Sequence, residues 1–597
     1  MNICLSTRLP FCIRISVQKP TSSAAIFRQG TRRRCFANEV RPAQCDETTD
    51  VLIVGSGGAG LSAALRAHSH GLNPLIIEKL SKVGGTTAYS GGCLWIPGNH
   101  VSKAAGVKDN LEDALGYLNK LIGDVGPASS MERRVAYLEN GPKLVSFLEN
   151  QGFVWNSCTM YPDYHPDIPG GMAGGRSIDT GVFDLRKLGK WQQHLLSNPD
   201  MPTIPMQADE AGLLTLFRTS PEAFWNLVRF AISRIILPRL LGKQPCTMGK
   251  GLAAQLLHLN IQRETKIYRD TSLVSLLEEN GSVIGAVVNR DGQEISIRAR
   301  RGVLLTAGGF ARNREMRQKY QQKEVNSDWS LVAPGDTGDA VRAGMEIGAA
   351  TALMEDSWWT PIFKHPESEI GTFCLAERSL PHSILVDSSG QRFTNEAESY
   401  NDLGHNQFAR HAKVDAVPAW MIADSTFRKK YFFAGLPPGN TPQKAISSGF
   451  IKKADSVEEL ARRINVNPKG LLSTVERFNQ MARTGIDEDF GRGSNAYENF
   501  YGDPLVKPNP NLGPIEKPPF YAARLYPGDI GTKGGLLTDE YARVVHQNGK
   551  PIPGLYAAGN TTASVMGHRY PGAGGTLGPA FTFAYIAVNH IFEKSSR

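Results

Sequence analysis

An α/β fold on a parallel sheet is predicted by three features of the sequence. A short apolar run closes on a glycine turn at 55–60, a second apolar run ends on Glu78, and two later apolar runs also end in small residues. The first run is Asp50-Val51-Leu52-Ile53-Val54, followed by Gly55-Ser56-Gly57-Gly58-Ala59-Gly60. A helical pattern comes next, in Leu61, Ala64, Leu65 and His68, and then Pro74-Leu75-Ile76-Ile77. The order is strand, glycine turn, helix, strand, acidic residue. Gly55 permits the tight turn, Gly57 lets backbone approach a pyrophosphate, and Gly60 lets helix and strand pack closely. The helix start, with Ser56, Gly58 and Ala59, offers N–H groups and a positive dipole end to phosphate. Glu78 stands where a carboxylate binds ribose hydroxyls. A glycine turn alone is weak; with strand, helix and Glu78 in place it predicts a Rossmann-like dinucleotide site.

The residues after Glu78 decide which dinucleotide. Lys79 is followed by Gly84-Gly85-Thr86-Thr87 and Ser90-Gly91-Gly92, a second glycine and hydroxyl cluster close to the first. It suits the longer FAD, bound non-covalently, whose ribityl chain and ring need further amides and hydroxyls. The later runs are Val303-Leu304-Leu305-Thr306-Ala307-Gly308-Gly309 and Leu555-Tyr556-Ala557-Ala558-Gly559-Asn560. A parallel sheet gathers its ligand at the carboxyl ends of such strands.

Charge gives no case for nucleic acid. Of a net +9, seven basic residues fall in residues 1–38, which hold no Asp or Glu, so the body is near neutral. This Arg-rich, acid-poor start, within an extension over 1–47, reads as a mitochondrial presequence or a basic tail, with a cytoplasmic enzyme as the alternative. The eight cysteines form no CxxC pair, so reduced thiols and an intracellular enzyme are expected. No uninterrupted apolar run is long enough to span a membrane. The segment 224–241, with Arg229, Arg234 and Arg239, reads first as a core-facing helix with snorkelling arginines and second as a peripheral membrane contact.

Taken together, GSGGAG…E, GGTT…SGG, LLTAGGF and GLYAAGN resemble the FAD-binding flavoproteins of the fumarate reductase and succinate dehydrogenase type, over nearly the whole chain from residue 48. Three further segments sharpen the resemblance: Tyr161-Pro162-Asp163-Tyr164, the RFTNE stretch 392–396 leading to Tyr400, and Tyr570-Pro571-Gly572-Ala573-Gly574. With these the chain is similar to the 3-ketosteroid Δ1-dehydrogenases. The resemblance implies that the Tyr570 hydroxyl and the Gly574 amide bind the C3 carbonyl. It implies that Tyr400 takes the C2 proton, that Tyr164 supports it, and that Tyr161 lies against the steroid. It also places Gly575 and Leu577 at the cofactor. Ser399 stands where the family has proline before the base, and Gly575 where it has alanine.

The residue types suit the chemistry. A C1–C2 bond beside a ketone is inert until the ketone is polarised, and neutral donors aimed at the developing enolate do that. An unperturbed tyrosine is only about 0.1% ionised at pH 7, so Tyr400 needs a lowered pKa or a relay through Tyr164. The ordinary alternative is that each tyrosine is a core aromatic with a satisfied hydroxyl. Tyr521 and Tyr526 are read as packing, and His568 and Arg569 as loop polars flanking the donor.

The implied activity is C1–C2 dehydrogenation of a 3-ketosteroid or 3-keto triterpenoid, with a quinone-like electron acceptor. A fumarate or enoate reductase would need cationic clamps for a carboxylate. A Δ4 ketosteroid dehydrogenase and a flavin-binding protein without turnover are further alternatives. The organisation expected is an FAD domain over 48–355 and 516–597, with an inserted α+β catalytic domain over 356–515. A helix over 338–352 precedes the insertion, with Asp336 and Asp339 as its turn and cap. Arg392 and Glu396 would hold the domain junction, and the Pro- and Asn-rich stretch 504–519 would be a linker.

Overall fold

The apolar run at 50–54 is the end of a strand, Glu47–Val54, inside an eight-stranded sheet. The computed structural model describes residues 45–199, 203–210, 212, 216–368 and 370–595, and the presequence reading of the N-terminus lies outside them. The sheet runs Arg543–Val545, Pro551–Ala557, Gln293–Leu305, Glu47–Val54, Pro74–Ile77, Lys266–Tyr268, with Ser282–Arg290 and Thr271–Glu279 added on one side. Residues 51–54 pair in parallel with 302–305 and with 74–77, and 555–557 extend the parallel set. The four apolar runs are therefore neighbours that end together. Their buried, largely β-branched and leucine side chains suit a sheet covered on both faces.

Between the first two strands runs the helix Gly58–Ser69. The helix Leu577–Ser595 covers it: a Cβ on Gly58 would meet the Phe581 ring, and Arg66 Nε donates to Asn589 at 2.7 Å.

A second, antiparallel sheet of six strands is built around Phe520–Thr532. That strand pairs with Ser357–Phe363, Ala419–Ala423 and Ile451–Ala454. The expected return to the parallel sheet at 516 is therefore too early and begins after Thr532. The stretch 504–519 is packed rather than a linker: Asn511 is fully buried and donates to the Ser379 and Glu498 carbonyls, both at 2.8 Å.

Four smaller expectations are corrected. The helix after Gly338 spans only Asp339–Glu346. Its N-cap is Gly338 itself, in the left-handed region at φ 77°, and neither aspartate caps it. Arg392 pairs with Glu396 (2.7 Å) and Asp487 (2.8 Å), and Glu396 with Arg492, so this buried network braces the inside of the segment 356–515 rather than its junction. The segment 224–241 is not core-facing. Over Pro221–Leu240 only Phe230 is buried, while Trp225, Leu240 and Leu241 are 60%, 79% and 64% exposed. Apolar residues lie on every side of it, so spacing gave no clue to its orientation. Among the described residues no helix is long and apolar enough to cross a membrane.

Candidate active site

The glycine turn forms one wall of the site. Gly55 has φ 105°, and a Cβ there would collide with the Thr306 carbonyl; one on Gly60 would collide with the Gly55 carbonyl. These two glycines let strand and helix touch. Gly57 differs: a Cβ there would meet nothing closer than Thr87 Oγ1 at 3.8 Å. Its face is open, as a pyrophosphate approaching the helix start requires.

The second glycine cluster is tied to the first. Gly58 N–H donates to Thr87 Oγ1 (2.9 Å), Gly84 N–H to the Ser56 carbonyl (3.1 Å), and a Cβ on Gly85 would lie 3.3 Å from Gly57 Cα. Thr86 accepts from Ala333 N–H, and Ser90 donates to the Thr87 carbonyl. Gly91 opens onto unoccupied space, whereas Gly92 is pressed against the Met248 backbone. Across the strand ends, Gly308 faces the buried Asp336, Gly309 packs on Thr532, and Gly559 beside Asn560 faces only Ala580 at 3.4 Å. Burial pushes the Asp336 carboxyl up to about 7.

Glu78 is buried at the turn, accepting from Ser56 N–H (3.0 Å), Ser56 Oγ (2.6 Å) and Leu80 N–H (2.9 Å). Burial raises its pKa. The Lys79 ammonium goes instead to Thr337 and Asp339. The open face at Gly57, at the start of the helix, and the open space at Gly91 leave room for a long dinucleotide, and these residues fit FAD.

The three tyrosines singled out in the sequence meet. Tyr164 and Tyr400 hydroxyls are 3.0 Å apart. The Tyr570 ring stacks on Tyr164 (5.0 Å between centroids) and meets Tyr400 at 5.3 Å. Each is delivered by a different part of the chain. Tyr400 opens the helix Tyr400–His411, and Tyr164 is fixed by its N–H donating to the Pro571 carbonyl at 2.9 Å. Tyr570 precedes the glycine frame. There Gly574 has φ 94° and lies against the Cys93 carbonyl, closer than any side chain allows. Trp95 and Arg176 hold Asp163 at 2.7 Å each, and Tyr117 holds the Pro571 carbonyl at 2.7 Å, so the frame is braced from behind.

Ser399 has φ −47°, near proline's ring-fixed value, so serine keeps a backbone that proline also takes. A Cβ on Gly575 would sit 2.9 Å from Pro571 Cδ, which must give way for alanine. Leu577 begins the terminal helix directly beyond.

Burial dominates the electrostatics. It pushes the Tyr400, Tyr164 and Tyr161 hydroxyls well above the ordinary tyrosine value, and the neighbouring tyrosines add to the effect. Tyr400 thus has the relay contact but not a lowered pKa. Tyr570 is raised less: Tyr400, Thr576 and the Gly574 amide all act on its hydroxyl and oppose burial. It remains a protonated donor beside a backbone N–H.

The sequence reading missed the rest of the aromatic box. Tyr161 is bonded through its hydroxyl to Tyr501 and packs on Phe500 at 4.9 Å. Tyr497 lies 4.7 Å from Tyr164, Trp358 4.9 Å from Tyr570, and Phe373 5.2 Å from Tyr400. Tyr497, Phe500 and Tyr501, spaced three and four apart, were the signal available. His568 and Arg569 are not idle loop polars. His568 Nδ1 lies 2.8 Å from Asp356, and Arg569 lies 3.1 Å from Asp402. Tyr521 is core packing, as expected, in the cluster with Phe427 and Leu525.

A parallel sheet with an open glycine cradle, next to a neutral, hydroxyl-lined aromatic box, defines a dinucleotide-dependent oxidoreductase. The comparisons give its family. The FAD binding domain family model matches residues 50–577. The chain is 42% identical over 554 residues to the 3-oxosteroid 1-dehydrogenase of Mycolicibacterium smegmatis, covering 90% of this chain and 96% of that one. It is 41% identical to the enzyme of the same name from Mycobacterium tuberculosis, covering 92% and 99%. A crystal structure of 3-ketosteroid delta1-dehydrogenase from Sterolibacterium denitrificans, in complex with 1,4-androstadiene-3,17-dione, superposes with a TM-score of 0.87 at 40% identity, covering 92% of this chain and all of that one. The chain belongs to the FAD-binding 3-oxosteroid 1-dehydrogenase family.

Proposed function

We propose that this protein introduces the C1–C2 double bond into a 3-keto steroid or 3-keto triterpenoid, with Tyr400 as the base. The observation that carries the reading is the convergence of the Tyr164, Tyr400 and Tyr570 hydroxyl groups in a buried box beside the Gly574 amide. Bound FAD, held by the Rossmann-type turn at 55–60 and by the second glycine cluster, supplies the acceptor for the C1 hydride. The protein's own residues do the remainder. Tyr570 O–H and Gly574 N–H, adjacent in the structure, donate to the C3 oxygen when substrate binds and stabilise the enolate as it forms. Tyr400 takes the C2 proton and shares it with Tyr164 across the 3.0 Å contact. Tyr161, Phe500 and Tyr501 form the apolar wall along the rings.

The segment from 356 through the Phe520–Thr532 strand acts as the substrate domain set into the FAD domain. A ketone suits this box better than a carboxylate, because the nearby cations are already spent. Lys533 pairs with Asp356 at 3.4 Å, and Arg569 with Asp402 at 3.1 Å.

The test is anaerobic addition of androst-4-ene-3,17-dione to the purified yellow protein. Bleaching of the flavin with formation of the 1,4-diene-3-one is the expected result. Bleaching by a 3-keto triterpenoid alone moves the substrate to that class. Reoxidation of reduced protein by fumarate, with no bleaching by either ketone, overturns the reading in favour of a reductase.

A quinone-like acceptor and a peripheral membrane contact complete the proposal, with an intracellular setting that the Arg-rich N-terminal extension assigns to the mitochondrion. The helical segment 221–241 presents Phe224, Trp225, Leu240 and Leu241 together with exposed Arg229 and Arg239, and Lys243 follows just beyond it, the composition of a segment lying in an anionic lipid interface. Cosedimentation with phosphatidylserine-containing vesicles is expected, and replacing Trp225, Leu240 and Leu241 by serine should abolish it while leaving turnover of dissolved substrate unchanged. Equal sedimentation of both proteins sinks the contact.

A further inference from the structure

The residues next to the three tyrosines in sequence also meet in space. His165 follows Tyr164, Asp402 is two residues beyond Tyr400, and Arg569 precedes Tyr570. The Asp402 carboxylate lies between the other two. One oxygen is 3.2 Å from His165 Nε2 and the other 3.1 Å from Arg569 NH1. Asp402 and His165 are nearly enclosed, whereas the Arg569 side chain is 48% exposed. Burial lowers the His165 pKa against the pull of Asp402, and His165 Nε2 makes no hydrogen bond among the described residues, so His165 meets Asp402 by close packing while Arg569 donates to it.

A second carboxylate, Asp356 just before the strand Ser357–Phe363, makes a similar tie to the same helix one turn further along. Asp356 takes His405 Nε2 from the Tyr400 helix and His568 Nδ1 from the Tyr570 loop, each at 2.8 Å, along with Lys533 at 3.4 Å. The loop that carries the donor is thus held to the helix that carries the base by Asp402, by Asp356 and by Asn401, whose amide donates to the His568 carbonyl at 3.1 Å. Asp402 alone also reaches the segment of the relay tyrosine.

We propose that Asp402 is a positioning residue for proton abstraction: by accepting from Arg569 and packing against His165 it sets the spacing of the Tyr164, Tyr400 and Tyr570 hydroxyls. This rests on the proposed function, since the spacing matters only if those hydroxyls handle the substrate ketone and its C2 proton. The alternative is a fold brace, which the buried Arg392 network already supplies elsewhere. Asp402 differs from that network because all three of its segments end on a hydroxyl of the site. Misplacing a reacting group by about 1 Å costs on the order of 100-fold in rate.

The experiment compares the FAD-loaded wild type with Asp402→Asn and Asp402→Glu. Asp402→Asn is expected to retain FAD and the melting temperature of the wild type, with kcat reduced by on the order of 100-fold and KM changed little. The isotope effect from substrate deuterated at C2 should grow, while that from C1 should not. Asp402→Glu restores the carboxylate and should recover part of kcat. A spectrophotometric titration of tyrosine ionisation, which needs no substrate, should shift in Asp402→Asn, because the mutual contacts of the Tyr164, Tyr400 and Tyr570 hydroxyls change with their spacing. Wild-type kcat and isotope effects in Asp402→Asn, or a fall in FAD content and melting temperature without the ionisation shift, overturn the positioning role. A wild type that bleaches with no ketone overturns the proposed function, and the titration then decides the Asp402 coupling independently.

Discussion

Replacing Tyr400 by phenylalanine is expected to lower kcat by about 10²–10⁴-fold, the usual contribution of a positioned general base. The ring contacts to Tyr164, Tyr570 and Phe373 survive the change, so FAD binding and steroid affinity should be nearly intact. The pH dependence separates the base from a packing role. Burial raises the Tyr400 pKa well above 10, so at pH 7 the neutral phenol is the resting form and the ionised base grows only as pH rises. The wild-type kcat/KM should therefore climb on the alkaline side, roughly tenfold per pH unit while Tyr400 stays mostly protonated. In Tyr400→Phe that slope should disappear. Stopped-flow flavin bleaching across pH measures both effects, and a variant that keeps the slope removes Tyr400 from the role of base.

The second large effect falls on the donor. Tyr570→Phe removes one of the two groups aimed at the C3 oxygen, a loss worth about 10²–10³ in kcat, or roughly 3–4 kcal/mol of transition-state stabilisation. The same raised pKa that handicaps a base favours a donor, because it keeps the proton on the hydroxyl. The loss should therefore be nearly independent of pH below the tyrosine range, in contrast to Tyr400→Phe. Ground-state affinity should fall less than kcat, since a neutral ketone gains little from the bond that its enolate gains fully. Product binding, followed through the flavin spectrum, together with single-turnover bleaching, resolves the two. A single-turnover rate equal to wild type assigns carbonyl polarisation to other groups.

How far the sequence is legible depends on the range of the signal. The parallel sheet and the glycine turn are readable because strand, turn and helix follow one another within residues 47–77, and each glycine answers a local steric demand. The three tyrosines are readable because each sits in a distinctive local frame. The box around them is not. Tyr497 and Phe500 arrive on a short helix, Ala496–Phe500, with Tyr501 at its C-terminal cap; their spacing is that of any buried helix, and Trp358 lies in a wholly buried strand. The ties from Asp356 to His568 and from Asp402 to Arg569 join residues 212 and 167 positions apart, and only the tertiary fold brings such pairs together. The boundary at 516 failed for a related reason. Proline and asparagine commonly mark turns, but here Asn511 is buried and bonded at the centre of the connection.

The way the chain closes has a consequence for its synthesis. The first helix, Gly58–Ser69, has its outer face covered by Leu577–Ser595, and the first strand's parallel neighbours include residues separated from it by some 250 positions. A ribosome therefore exports the amino-terminal strand and helix long before their partners exist. At roughly 5–20 residues per second, that apolar surface waits tens of seconds for the last helix to emerge. The site is accordingly complete only once the last helix has emerged, and shortening the carboxyl terminus by that helix leaves the outer face of Gly58–Ser69 uncovered. Such contacts between distant parts of a chain make folding slow, so yield in a foreign host should depend on chaperone supply and on free FAD at the moment of release.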